Sequence, residues 1–177
     1  LDIALWDIAG KAVGLPVWKM LGGRFRDHVT AYATGCYYPE NFTDAPRVLA
    51  ALEKESAGYA DSGFELLKVK IGLLPLAADI ERLRVIRNTV GDRVGLFVDA
   101  NHAYTAASAV RMGRLMEPFD VRFFEEPVVP EDRDGYRKVR AENPIPVAGG
   151  ECEFTRFGFR DLIAGGCVDI VQPDEVY

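Results

Sequence analysis

A chain of 177 residues with 49% hydrophobic and 27% charged residues is ordinary for one globular domain with a sizeable core, and no stretch reads as disordered or low in complexity. A formal charge of −6 without any Lys/Arg cluster argues against nucleic acid or an anionic membrane as partner, and no apolar run approaches the roughly 18 residues of a membrane span. Three cysteines, Cys36, Cys152 and Cys167, at no zinc-like spacing fit a reduced protein, and the first residues lack the basic-then-apolar pattern of a signal peptide, so cytoplasm is the expected location.

In chain order, Leu1, Leu5, Ile8 and Ala12 fall on one face of a helix that Gly14 and Pro16 end, and Gly22-Gly23 close a second short turn. Val29 to Gly35 is a candidate first strand, and Thr43 or Asp44 can cap a helix with Pro46 in its first turn. A regular alternation follows. Strands are expected at Leu66 to Ile71, Val94 to Asp99, Val121 to Glu125, Val147 to Glu151 and Val168 to Gln172. Helices are expected at Leu76 to Val90, Thr105 to Met116, Glu131 to Glu142 and Thr155 to Ala164. Repeated strand and helix at this pitch means a parallel sheet covered by helices.

An open doubly wound sheet and a closed β/α barrel share this alternation. The first calls for a Gly-rich turn after its first strand, and Thr34-Gly35-Cys36-Tyr37-Tyr38-Pro39 is not one. The barrel places functional residues at the C-terminal ends of several strands, where this chain carries Lys68, Lys70, Asp99, Glu125 and Glu151. We therefore expect a TIM-like barrel.

Residues two apart on a strand share a face, so Lys68 and Lys70 point together with Val69 opposite. Two ammonium groups so close are expected to depress one pKa and free a lysine to act as base. Parity also pairs Asp99 with Asn101, Glu151 with Gly149, and Asp174 with Gln172. The intervals from Asp99 to Glu125 and from Glu125 to Glu151 are equal, so three carboxylates are expected to converge from three strand ends. Such anions repel in a low-dielectric mouth unless a cation lies between them. An all-oxygen set favours Mg²⁺, with Mn²⁺ the other hard-ion choice.

Leu1 to Gly23, Lys68-Val69-Lys70, Val98-Asp99-Ala100-Asn101, Phe124-Glu125-Glu126-Pro127, Gly149-Gly150-Glu151 and Gln172-Pro173-Asp174 together resemble the mandelate racemase and muconate lactonizing enzyme branch of the enolase superfamily. The resemblance implies a (β/α)7β barrel, Mg²⁺ held by Asp99, Glu125 and Glu151, Lys70 as base with Lys68 beside it, and Asp174 as the orienter of a catalytic histidine. It also implies that Glu125, and not Glu126, is the ligand. The implied reaction removes the proton α to a carboxylate through an enediolate, with Lys68 or Asn101 adding stabilisation, and His102 at the barrel mouth is a candidate substrate contact. A lysine base working beside Mg²⁺ is a general pattern of this superfamily. Ala31 to Gly35 and Gly150 to Arg156 resemble members acting on sugar acids or their lactones, the D-galactarolactone cycloisomerase group and the aldarate dehydratases.

Two departures from the family pattern shape the expectations. No histidine partner for Asp174 precedes Tyr177, and about six strands are present where closure takes eight. Residues 1–23 read as a helical junction to an N-terminal capping domain and residues 24–177 as a partial barrel, so the chain is expected to be a piece of a longer polypeptide, a homo-oligomer when full-length. The alternatives are a metal-independent Schiff-base aldolase using Lys70 and a catalytically inactive fragment.

Overall fold

The computed structural model describes residues 1–41 and 44–174; the candidate cap Thr43 lies outside the described residues. Its centre is a sheet of six parallel strands in the order β1 to β6: β1 (Ala33–Gly35), β2 (Leu66–Lys70), β3 (Gly95–Asp99), β4 (Val121–Glu125), β5 (Val147–Gly149) and β6 (Ile170–Val171). Each strand pairs with its neighbour in sequence, with no reversal of order. A doubly wound sheet needs such a reversal, so the topology is that of a partial β/α barrel.

The helices sit where periodicity and capping chemistry place them. Before the sheet come α1 (Asp2–Val13), stopped by Gly14 at φ 68°, and the short α2 (Val17–Met20). Helix α3 (Ala45–Asp61) starts at Asp44, whose side chain accepts the Arg47 N–H, with Pro46 in the first turn. Then follow α4 (Leu76–Val90), α5 (Ala106–Met116), α6 (Arg133–Glu142) and α7 (Thr155–Ala164). Thr105 and Ser108 form a reciprocal capping box on α5, and Asp132 caps α6.

The first and last strands are shorter than their apolar runs suggest. β1 pairs only over Ala33 to Gly35, and β6 over two residues, because each has a partner on one side alone among the described residues. On α1, Leu1, Leu5 and Ile8 form the expected apolar face, yet they are exposed, since nothing among the described residues packs on that face. The core lies between the sheet and α3 to α7, where Leu67, Val69, Leu96, Val98, Phe124 and Val147 meet Leu52, Leu83, Ile86, Met112 and Val139.

One polar knot interrupts that core. Arg82 of α4 is 1% exposed and pairs at 2.9 Å with Asp79, which is wholly buried. The guanidinium donates to the main-chain carbonyls of Lys70 (2.8 Å) and Cys36 (2.7 Å), while Asp79 accepts the Tyr38 hydroxyl (2.6 Å) and the Gly72 N–H (2.8 Å). The knot thereby ties the C-terminal ends of β1 and β2 together behind Lys70.

Candidate active site

The strand register brings the functional side chains to one level. Lys70 aligns with Asp99, and Asp99 with Glu125, so side chains from β2, β3 and β4 share a face at the sheet's C-terminal end. One layer below, Lys68 aligns with Phe97 and Phe97 with Phe123. Those two rings stack, Tyr32 meets Phe97 edge-on, and Lys68 Nζ lies 5.5 Å from the Tyr32 ring centroid.

Polar contacts close the group. Lys70 Nζ donates to Asp99 Oδ2 at 2.5 Å and to Asn101 Oδ1 at 2.7 Å. Lys68 Nζ donates to both Glu125 oxygens, at 3.1 and 3.0 Å, and stands 3.4 Å from Asp99 Oδ2. Asp99 Oδ1 accepts the Asn101 N–H at 3.0 Å. Asp99 and Glu125 are 0% and 2% exposed, and neither they nor Glu151 caps a helix, the caps of α5, α6 and α7 being Thr105, Asp132 and Phe154.

The neighbouring carboxylates set the charge of Lys68. Burial works to lower the Lys68 pKa, but the Glu125 carboxylate, with Asp99 behind it, more than offsets burial and raises it. At Lys68 the carboxylates decide the shift, with Glu125 3.0 Å and Asp99 3.4 Å from the ammonium. Burial, followed by the neighbouring Asp99, pushes the Glu125 carboxyl up; Lys68 and a hydrogen bond from Gln172 pull the other way. Two buried carboxylates thus lie against two ammonium groups, Asp99 between Lys68 and Lys70 and Glu125 against Lys68.

Glu151 reaches the site by a different route from the one parity predicts. β5 ends at Gly149, and it is Ala148 that aligns with Glu125, so Glu151 is not a strand residue in matched register. Gly150 at φ 126° turns the chain, and a Cβ there would lie 3.1 Å from Phe159 and 3.3 Å from the Gln172 carbonyl. The redirected Glu151 is partly exposed. Its carboxyl is pushed up by burial and then by Glu126 and Asp99, and is drawn down by Lys68 and Lys70, which are charges of the same site.

The remaining predicted residues sit as follows. Asn101 touches Lys70 and Asp99. His102 is turned to Glu126 and Cys152, with Nε2 2.7 Å from Glu126 Oε2 and 3.8 Å from Cys152 Sγ. Asp174 lies exposed beyond β6. Sequence reading missed Gln172 as a partner of Glu125, Tyr32 beneath Lys68, the buried Glu126, and the Asp79–Arg82 knot. Only the last had a sequence signal, an Asp and an Arg three apart on a helix face otherwise made of Leu76, Ile80, Leu83 and Ile86.

Whether a hard divalent cation suits these residues can be judged from the donors. Asp99 and Glu125 are desolvated anions on adjacent strands, and the Lys68 ammonium already stands between them, within 3.4 Å of each. A cation is what that position calls for, and the oxygen-only donors match Mg²⁺. Among the described residues, however, the potential ligand atoms that lie within 4.8 Å of one another are those of His102, Glu126 and Cys152, not those of Asp99, Glu125 and Glu151.

Successive parallel strands that present lysines and carboxylates at one end define a β/α-barrel protein of partial-barrel topology. The chain belongs to the Enolase C-terminal domain-like family, whose model matches residues 51–177. It is 41% identical over 174 residues to a D-galactarolactone cycloisomerase of Agrobacterium fabrum, covering 98% of this chain and 45% of that protein. It is 42% identical over 177 residues to an arabinonate dehydratase of Saccharolobus solfataricus, covering 100% of this chain and 46% of that protein. A crystal structure of a racemase from Streptomyces coelicolor with bound magnesium superposes with a TM-score of 0.85 at 34% identity, over 98% of this chain and 46% of that one. The chain spans about half the length of these relatives. No helix among the described residues is long and apolar enough to cross a membrane.

Proposed function

We propose that the protein to which this chain belongs is an isomerase or lyase that removes the proton α to the carboxylate of a sugar acid or its lactone, by cycloisomerisation or dehydration. The observation that carries this reading is the set of buried Lys68, Asp99 and Glu125 with half-buried Lys70 at the ends of three adjacent strands. Relatives named for cycloisomerisation and dehydration of sugar acids support the substrate class.

In this reading Asp99, Glu125 and Glu151 hold Mg²⁺, or Mn²⁺ in its place. When bound, the ion supplies Lewis-acid stabilisation for the negative charge that develops on the substrate carboxylate. Lys70, 19% exposed at its side chain and facing the mouth, takes the α-proton on Nζ. Asp99 and Asn101 hold that nitrogen in place. Lys68 remains charged between Glu125 and Asp99 and adds positive potential where the enediolate forms. Asp174 serves a histidine following the described chain, and His102 lines the mouth. Residues 1–23 form the junction to a capping domain, residues 24–177 are part of a barrel completed elsewhere in the polypeptide, and the whole works as a cytoplasmic homo-oligomer.

The test uses the full-length protein with Mg²⁺, screened against aldonic and aldaric acids and their lactones, with solvent deuterium incorporation at Cα as a second readout. Turnover or exchange that disappears with EDTA and in Lys70→Ala is the expected result. A folded, Mg²⁺-loaded enzyme inert to the whole set removes the substrate proposal, and borohydride trapping of a substrate adduct on Lys70 would favour the aldolase alternative.

A further inference from the structure

Asn101, Glu125 and Glu151 are each followed by a residue that turns the other way. His102 follows Asn101, Glu126 follows Glu125 and Cys152 follows Glu151, and these three gather into a group of their own. Glu126 is only 1% exposed, and its Oε2 is buried with no hydrogen-bond partner. His102 Nε2 approaches that oxygen to 2.7 Å as an ion-pair contact outside hydrogen-bond geometry, and Cys152 hydrogen-bonds the Glu126 carboxyl, so the three side chains converge on one another. The three ligand atoms lie within 4.8 Å of one another, and nitrogen, oxygen and sulfur donors gathered this closely suit a shared cation.

We propose that His102 Nε2, Glu126 Oε2 and Cys152 Sγ form a second metal site, selective for a borderline-soft divalent ion such as Zn²⁺ and distinct from the oxygen-only set.

The ligand types carry the selectivity. Imidazole and sulfur favour zinc, and Mg²⁺ makes little use of either. Tetrahedral zinc with bonds of about 2.0 to 2.3 Å separates its ligand atoms by roughly 3.3 to 3.6 Å. The 3.8 Å separation of His102 and Cys152 lies within a few tenths of an ångström of that range, and the 2.7 Å separation of His102 and Glu126 reaches it by opening about 0.6 Å. Cys152 binds as thiolate, its proton passing to solvent; with the Glu126 carboxylate it balances the ion's two positive charges.

Backbone geometry holds two of the ligands in place. The His102 N–H donates to the Glu126 carbonyl at 2.8 Å and the Glu126 N–H to the Ala148 carbonyl at 3.0 Å, so the loops after β3 and β4 are zipped to each other and to β5. An open cleft lined by His102, Pro130, Arg133, Cys152 and Glu153 brings solvent to two of the three ligands. The site stands independently of the proposed reaction. Bound zinc would pin the loops that carry Asn101 and Glu151 and the loop that follows Glu125.

The test uses the full-length protein stripped with chelator and then titrated with Zn²⁺ in excess Mg²⁺ against a colorimetric zinc indicator. One equivalent should bind, and Cys152→Ser and His102→Ala should each weaken binding at least about tenfold, as loss of a direct ligand does. Co²⁺ in place of zinc should give a sulfur-to-metal charge-transfer band in the unsubstituted protein that Cys152→Ser removes. Because that spectrum is read on the natural protein, it remains decisive if a variant misfolds. No zinc binding under Mg²⁺, or a cobalt complex without the sulfur band, overturns the proposal. Zinc binding that Asp99→Asn abolishes also overturns it, by placing the ion in the oxygen set.

Discussion

Arg82→Met is expected to cost the protein about 4 kcal/mol of stability, through the loss of one partner from a buried ion pair. The substitution keeps most of the side chain's apolar stem but removes the guanidinium that lies 2.9 Å from Asp79. Asp79, wholly buried, keeps only the Tyr38 hydroxyl and the Gly72 N–H, and the carbonyls of Lys70 and Cys36 lose donors at 2.8 and 2.7 Å. Removing one partner of a buried pair costs about 3–5 kcal/mol, and each orphaned buried carbonyl about 1–3 kcal/mol. These terms belong to one network and do not add, and water entering the space recovers part of them. The assay is urea unfolding of the full-length protein, followed by fluorescence and circular dichroism. Asp79→Leu with Arg82→Met should lose less than the two single variants summed, since the double variant leaves no unpaired charge. A loss under about 1 kcal/mol for Arg82→Met would refute the reasoning, because a buried anion cannot lose its cation at so small a cost.

Other outcomes follow from the same contacts. Asp99→Asn should weaken Mg²⁺ binding by calorimetry at least about tenfold; unchanged affinity would mean that the ion is held elsewhere. Lys70→Ala should reduce turnover or Cα deuterium exchange at least about a hundredfold with the fold retained, the contribution of a positioned base; near-normal exchange would discharge Lys70 from that role. Gly35→Ala should destabilise by about 1–3 kcal/mol, the cost of overpacking, because its Cβ would collide with the Tyr59 hydroxyl and sit 2.7 Å from Glu55 Oε1. An unshifted urea midpoint would show that the two side chains yield freely. Burial, with Glu55 next, pushes the Cys36 thiol up to about 12, so iodoacetamide at pH 8 should leave Cys36 unmodified in peptide maps until the protein is unfolded, and rapid native labelling would contradict that burial.

The sequence by itself determined the alternation of strand and helix, the barrel class and the residues of the lysine and carboxylate set. These signals are local. Period-two and period-3.6 patterning, turn glycines and capping residues such as Asp44, Thr105 and Asp132 act within a few positions, and parity alone put Lys68 and Lys70 on one face. The extents of β1 and β6 were less legible, because a strand's length depends on partners distant in the chain. Parity also misplaced Glu151, since a single residue at φ 126°, Gly150, breaks the alternation on which parity rests. Charge states were decided only by tertiary structure. The Lys68 pKa is raised because β3 and β4 bring Asp99 and Glu125 within 3.4 and 3.0 Å of it, and a Coulomb interaction depends on distance through space, not along the chain. The same holds for His102, Glu126 and Cys152, which have no spacing that a sequence pattern would flag and meet only because three parallel strands end side by side.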